Sequence, residues 1–266
     1  MPQVNGLYFE EHGGGNPGPP LVFVHGAGGN RLHWPPALRR LTGCRTLAVD
    51  LPGHGRSTAE GEVGIDLFAR RLADAYGALG GPPPVLVGHS MGAAIALTCA
   101  LSDPARWSGL VLLGAGARLK VNPRLLEDVG RPDAFGDAVE RILTWSFDAA
   151  APPRLLELAR ARLIETGASL LEADLRACDG FDVTGRLPEI RLPTSILVGR
   201  TDRMTPPALS EELRAGIDGA HLEVVDRAGH MLMLEQPVVV ARALRALPDD
   251  RPQSASAIRP AKGEGR

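Results

Sequence analysis

Residues 86–94 read Leu-Val-Gly-His-Ser-Met-Gly-Ala-Ala, an apolar strand that turns through Gly88-His89-Ser90-Met91-Gly92 into a helix of small residues. This is a G-x-S-x-G elbow, which sets one serine hydroxyl at the tip of a strained strand-to-helix turn. Ser90 must take unfavourable backbone angles there, and its surroundings tolerate them only if positions 88 and 92 carry no bulk. The pentapeptide alone carries little weight. A chain with 32 Gly and 10 Ser in 266 residues yields roughly 0.14 such matches by chance. Its context decides the reading.

Working outward, strand-length apolar runs alternate with segments of helical period, the pattern of a mostly parallel sheet wrapped by helices. Strands are expected at 4–9, 21–24, 46–49, 85–87, 110–113, 195–198 and 222–225, and helices at 31–41 with an early interruption at Pro35-Pro36, 66–79, 91–101, from about 206, and near 236–247. The alternation stops over 118–188. That stretch offers helical periods at about 123–130, 134–147, 153–166 and 168–178 and no convincing strand. We read 1–117 and 189–247 as one α/β domain and 118–188 as an inserted helical cap. The end from 248 is rich in Pro, Ser and Ala and is expected to be disordered.

Composition narrows the function. The chain is 44% hydrophobic and 23% charged, ordinary for a globular protein, and its net charge of −2 implies no broad cationic surface for nucleic acid. Cys44, Cys99 and Cys178 are odd in number and far apart, which fits a reduced, cytoplasmic setting. The first residues have no basic or apolar segment of a secretory signal, and no apolar run has the length of a membrane span. No H-E-x-x-H or Cys/His cluster suggests a metal. The Gly-rich 25–29 lacks both G-x-G-x-x-G and a Walker lysine, so no cofactor is expected.

Further segments complement the elbow. His25-Gly26-Ala27-Gly28-Gly29 follows the strand 21–24, so a backbone amide there can join that of Met91 as an oxyanion hole. Ala27 is the expected second donor, with Gly28 as the fallback. Asp202 follows the strand 195–198, and His230 follows the strand 222–225. In this order His230 is the base that takes the Ser90 proton, and Asp202 fixes its tautomer. Asp179, Asp182 and Asp226 compete for the acid role. Asp226 lies too close to His230 in sequence to reach behind its ring. Among the other histidines, His25 and His54 are expected to brace loops, and His12, His33 and His221 to lie at the surface or core edge. Gly28, His89, Trp145, Phe147, Met204 and Met231 are expected to shape the substrate pocket.

Taken with Asp50-Leu51-Pro52-Gly53-His54-Gly55-Arg56-Ser57, these segments resemble the α/β-hydrolase superfamily over nearly the whole chain to about residue 247. The resemblance implies an eight-stranded, mostly parallel sheet flanked by helices, with a cap over the nucleophile. Some family members carry the acid after the preceding strand, but here that place reads Gly114-Ala115-Gly116. A serine nucleophile excludes the aspartate-dependent haloalkane dehalogenases and epoxide hydrolases, and the cysteine-dependent dienelactone hydrolases. The leading expectation is a carboxylesterase acting on a small-molecule ester through an acyl-enzyme. The alternatives are a carbon–carbon bond hydrolase of meta-cleavage products, a thioesterase or lactonase, a cofactor-free haloperoxidase or perhydrolase, and a non-catalytic ligand-binding protein. Carbon–carbon hydrolases of this family usually carry Gly-Pro-Gly after the His-Gly pair and Asn before the serine, where this chain has Gly28-Gly29-Asn30 and His89.

Overall fold

A computed structural model of the chain describes residues 3–14, 18–58 and 63–246. The expected disordered tail, 248–266, lies outside the described residues. The apolar runs become β1 (Gln3–Val4), β2 (Leu7–His12), β3 (Leu21–Val24), β4 (Thr46–Asp50), β5 (Val85–His89), β6 (Gly109–Leu113), β7 (Thr194–Gly199) and β8 (His221–Val225). They form one sheet in the order β1-β2-β4-β3-β5-β6-β7-β8. β2 is antiparallel to β1 and to β4, and the remaining neighbours are parallel. The opening strand is split by Asn5 and Gly6, with φ of 50° and 79°. Asn-Gly is the pair that a two-residue hairpin requires.

Every residue of β3, β4, β5 and β6 is buried, as expected of parallel strands covered on both faces. Their side chains alternate between two cores. Val22, Val24, Leu86, Leu110 and Leu112 share one with Phe68, Leu72 and Ile95, whereas Leu21, Phe23, Val87, Val111 and Leu113 share the other with Trp34, Leu38 and Val240.

The helices are α1 (Pro36–Arg39), α2 (Ile65–Leu79), α3 (Met91–Ser102), α4 (Pro123–Val129), α5 (Phe135–Ser146), α6 (Pro153–Thr166), α7 (Ala168–Asp179), α8 (Pro207–Gly216), α9 (Leu232–Glu235) and α10 (Pro237–Arg245). The helix expected over 31–41, interrupted at Pro35-Pro36, is a 3-10 turn at Arg31–His33 followed by α1. Pro35 and Pro36 explain the break, since neither has an N–H to continue a helix and each disfavours helical angles in the residue before it.

Helices α4 to α7 all lie between β6 and β7. At the base of this insertion, Arg118 and Asp182 form an antiparallel bridge, and the Val183 N–H donates to the Ala117 carbonyl at 2.8 Å. At its other side, the C-terminal end of α5 is tied to the core, with the Met231 N–H donating to Ser146 O (3.0 Å) and the Arg203 N–H to Trp145 O (3.2 Å).

The sheet order fixes where a ligand can bind. From β3 the chain moves to β4 on one side, whereas from β5 it moves to β6 on the other. The connections diverge, so a crevice opens beyond the carboxyl ends of these two strands. Residues 25–29 and Ser90 lie there.

Candidate active site

Ser90 sits between β5 and α3 with φ 53° and ψ −116°, angles an L-residue rarely holds. The surrounding backbone enforces them. A Cβ at Gly88 would lie 2.3 Å from the Gly92 carbonyl oxygen, and one at Gly92 would lie 2.1 Å from that of Val24. The Ser90 N–H extends the sheet by donating to Leu113 O at 2.9 Å.

The loops after β7 and β8 bring Asp202 and His230 together in the buried interior, with His230 Nδ1 2.9 Å from Asp202 Oδ2. Asp202 also accepts the Thr205 hydroxyl on Oδ2 (2.8 Å) and the amides of Met204 (2.9 Å) and Thr205 (2.8 Å) on Oδ1. A carboxylate so supplied with donors is held in one orientation. It keeps the proton on Nδ1 and leaves the Nε2 lone pair for a hydroxyl. A Cβ at Gly114 would stand 2.9 Å from His230 Nδ1 and 3.3 Å from Asp202 Oδ2, so the place after β6 must stay empty for this pair to form. The other acids have different partners: Asp226 pairs with Arg200, Asp179 accepts from Val121 N, and Asp182 accepts from Thr184 N. Ser90 and His230 line one cavity, although among the described residues no hydrogen bond yet joins the Ser90 hydroxyl to the imidazole. Such bonds are often long before substrate binds.

His89 lines the cavity as expected and also braces His230. Its Nε2–H donates to the His230 carbonyl at 3.0 Å, and the two rings lie 4.6 Å apart. Burial, and then the neighbouring His230, hold its pKa well below the ordinary imidazole value. It is therefore a neutral donor. His33 departs from its expected place at the surface or core edge. It lies in the cavity wall, where burial and then the Arg162 charge lower its pKa to about 4.

Met91 is the first residue of α3, so its N–H has no carbonyl to meet within the helix and lies at the positive end of the helix dipole. Ala27 lines the cavity. Its N–H belongs to the peptide whose oxygen, Gly26 O, accepts both the Gly29 amide (3.1 Å) and His25 Nδ1–H (2.9 Å). Because a peptide is planar and trans, the Ala27 N–H points the opposite way.

Gly28 is a correction: expected in the pocket, and as the fallback donor, it is absent from the cavity wall. Its φ of +64° turns it toward the insertion, where its N–H donates to the buried carboxylate of Asp174 at 2.8 Å. That amide is already engaged. Asp174, Thr166 and Thr205 are contacts the sequence reading missed. Thr205 has a local signal, a hydroxyl three residues past the acid, where it can hydrogen-bond back to it, and Asp174 a periodic one, since helical spacing groups it with Leu171, Leu175 and Cys178.

The cavity holds about 580 Å³ and is walled mainly by apolar groups, among them Trp145, Phe147 and Leu163 from the insertion and Met204 and Met231 from the core loops. Lys120, Arg162 and Arg203 also line it, whereas no Asp or Glu stands among its described lining residues. Among the described residues, no group of three or more His, Cys, Asp or Glu side chains is placed to hold a metal, and no helix is long and apolar enough to cross a membrane.

Residues 21–243 match the model of the alpha/beta hydrolase family. The chain belongs to that family. It is 33% identical over 246 residues to a pimeloyl-[acyl-carrier protein] methyl ester esterase of Stenotrophomonas maltophilia, covering 86% of this chain and 92% of that protein. It is 30% identical over 253 residues to a 2-hydroxy-6-oxononadienedioate/2-hydroxy-6-oxononatrienedioate hydrolase of Burkholderia vietnamiensis, covering 86% of each. Among solved structures, a thermophilic esterase from Thermogutta terrifontis with malate bound superimposes with a TM-score of 0.80 at 29% identity, over 90% of this chain and 91% of that one. Hydrolysis is what these relatives share, and this family member is a hydrolase.

Proposed function

We propose that the protein is a serine hydrolase that cleaves a small carboxylic ester through an acyl-enzyme, with Ser90 as nucleophile, His230 as base and Asp202 as its orienting acid. One observation carries the reading: a buried His230–Asp202 pair opens its free ring nitrogen onto the same cavity as a serine on a strained elbow. The esterases among its relatives support the choice of bond.

In this mechanism the Ser90 oxygen attacks the ester carbonyl carbon while His230 Nε2 takes its proton. The carbonyl electrons move onto oxygen, which the amides of Ala27 and Met91 stabilise. Collapse expels the alcohol oxygen, which receives the proton from His230. Water then attacks the acyl-Ser90 ester, giving up a proton to His230, and the acid leaves as Ser90 recovers its own. Residues 118–188 act as a cap that supplies the apolar wall and limits water. The Lys120, Arg162 and Arg203 lining, with no acid among the described residues of the wall itself, favours esters that carry an anionic end. Three unpaired cysteines, two of them buried, fit action in the cytoplasm.

The test is Ser90→Ala with p-nitrophenyl butyrate. Hydrolysis should fall by roughly 10⁴-fold or more, and labelling by a fluorophosphonate should vanish. Retention of near wild-type turnover would sink the assignment. A panel of esters, thioesters, lactones and vinylogous diketones then separates this reading from the thioesterase, lactonase and carbon–carbon hydrolase alternatives.

A further inference from the structure

The peptide group next to the Ala27 donor is held by the insertion rather than by the sheet domain. Gly28 offers its N–H to Asp174 Oδ2 on α7 (2.8 Å) and receives on its carbonyl the hydroxyl of Thr166, the last residue of α6 (2.7 Å). Its α-carbon faces the same helices, for a Cβ there would lie 2.8 Å from Leu171 and 3.3 Å from Leu163. Asp174 is completely buried, and its Oδ2 is fixed from the far side by His54 Nε2 at 2.9 Å. His54 Nδ1 in turn faces the Pro52 carbonyl at 2.9 Å. A carbonyl can only accept, so that nitrogen carries a proton, and Nε2–H is the natural partner for a carboxylate. Burying an acid this deeply is costly unless it is hydrogen-bonded, and its Oδ1 has no hydrogen-bond partner among the described residues.

On the reading of Ser90 as nucleophile, we propose that Asp174 and Thr166 are positioning residues. By gripping Gly28 at both its N–H and its C=O, they lock the 26–29 loop in the conformation that presents the Ala27 amide to the substrate oxyanion. The peptide on the N-terminal side of Ala27 is fixed within the sheet domain through Gly26 O. Among the described residues, the peptide on its C-terminal side is fixed through Asp174 alone, and it is the central peptide of the turn that the Gly26 O–Gly29 N–H bond closes. Without the Asp174 bond that central peptide is free to rotate, the closure that holds the Gly26–Ala27 peptide loosens, and the donor loses its aim. The cap thus completes the catalytic site as well as walling the pocket.

Asp174→Ala, Asp174→Asn and Thr166→Val test this in the full chain, with kcat and KM measured on p-nitrophenyl butyrate and active sites counted by fluorophosphonate. Affinity for a butylboronic acid, which mimics the tetrahedral adduct, is measured alongside. Asp174→Ala should lower kcat per active site about ten- to a hundredfold, a part of the roughly 10²–10³ that outright loss of an oxyanion donor costs. The boronate should weaken by a similar factor, with KM changed by less than about threefold. Asp174→Asn keeps an oxygen for the Gly28 N–H and should recover most of the loss. Thr166→Val should cost a few-fold. A purely structural role would lower the melting temperature and the count of active sites, and leave kcat per site and boronate affinity intact. That result, or an Asn variant no better than Ala, overturns the proposal. Should Asp174→Ala fail to fold, an unchanged kcat per site and unchanged boronate affinity in Thr166→Val overturn it equally. A wild-type enzyme inert towards every ester would instead overturn the functional reading itself.

Discussion

Ser90 occupies a conformation that gives its side chain access and its backbone strain, and two glycines make that possible. The contacts at Gly92 are with the backbone of Val24 and His25 rather than with flexible side chains. Gly92→Ala should therefore cost about 3 kcal/mol of stability or more, read as a lower midpoint in urea, because a strand has to move to make room. On the proposed role of Asp202 in setting the His230 tautomer, Asp202→Asn should reduce kcat by about 10⁴, the loss seen when a triad acid is replaced by its amide. Thermal stability should change far less. Ser90, Asp202 and His230 were legible because each sits at the carboxyl end of an apolar strand, where pattern and chemistry coincide. Asp174 was not. It lies at helical spacing with Leu171, Leu175 and Cys178, so periodicity puts it on the apolar face of α7, but which group it meets there is set by tertiary packing alone.

At the scale of elements, the buried strands and the long helices follow from periodicity, because a parallel sheet leaves continuous apolar runs and an amphipathic helix a 3.6-residue stripe. The short pieces are set by local breakers: the interruption at Pro35-Pro36 was readable, whereas the split of the opening strand at Asn5-Gly6 departed from expectation. The link between α7 and the loop after β4 makes a prediction of its own. His54 meets two opposing influences: burial disfavours its cation, but the hydrogen bond and charge of Asp174, then the Pro52 carbonyl and Asp50, outweigh it and raise the pKa above 6.5. The neutral His25 ring, 4.9 Å away, and Phe68, 6.2 Å away, are its other neighbours. A raised folded-state value means that the stabilisation is fully present below the unfolded imidazole pKa and fades as pH climbs through the folded one. The stability gap between the wild type and His54→Gln, measured by urea unfolding from pH 5 to 9, should accordingly narrow towards alkaline pH. A gap that widened with pH would contradict the charged pair.

At the scale of the whole molecule, the cavity is apolar in its walls and cationic in its exceptions. Arg203 is exposed and its guanidinium has no partner among the described residues, whereas Lys120 donates to the Asp179 carbonyl and Arg162 pairs with Glu165. Exposed ion pairs are worth about 0–1 kcal/mol, so the effect on selectivity should be no more than about fivefold per cation. Monomethyl adipate should be hydrolysed with a higher kcat/KM than methyl hexanoate, which has the same acyl length without the charge. The advantage should shrink in 0.5 M salt and with Arg203→Gln. Equal rates for the two esters at low salt would remove the cationic lining from the account of specificity.

The grip of α6 and α7 on Gly28 also bears on how such enzymes are recombined. Exchanging the segment between β6 and β7 with that of a relative is an obvious way to alter substrate range, on the assumption that chemistry stays behind in the sheet domain. Here the donor loop takes its shape from the segment being exchanged. A chimaera whose grafted helices bring no acceptor opposite Gly28 should turn over every ester slowly, however well its new pocket fits. Restoring a single carboxylate at the position of Asp174 should return speed without changing which esters are chosen.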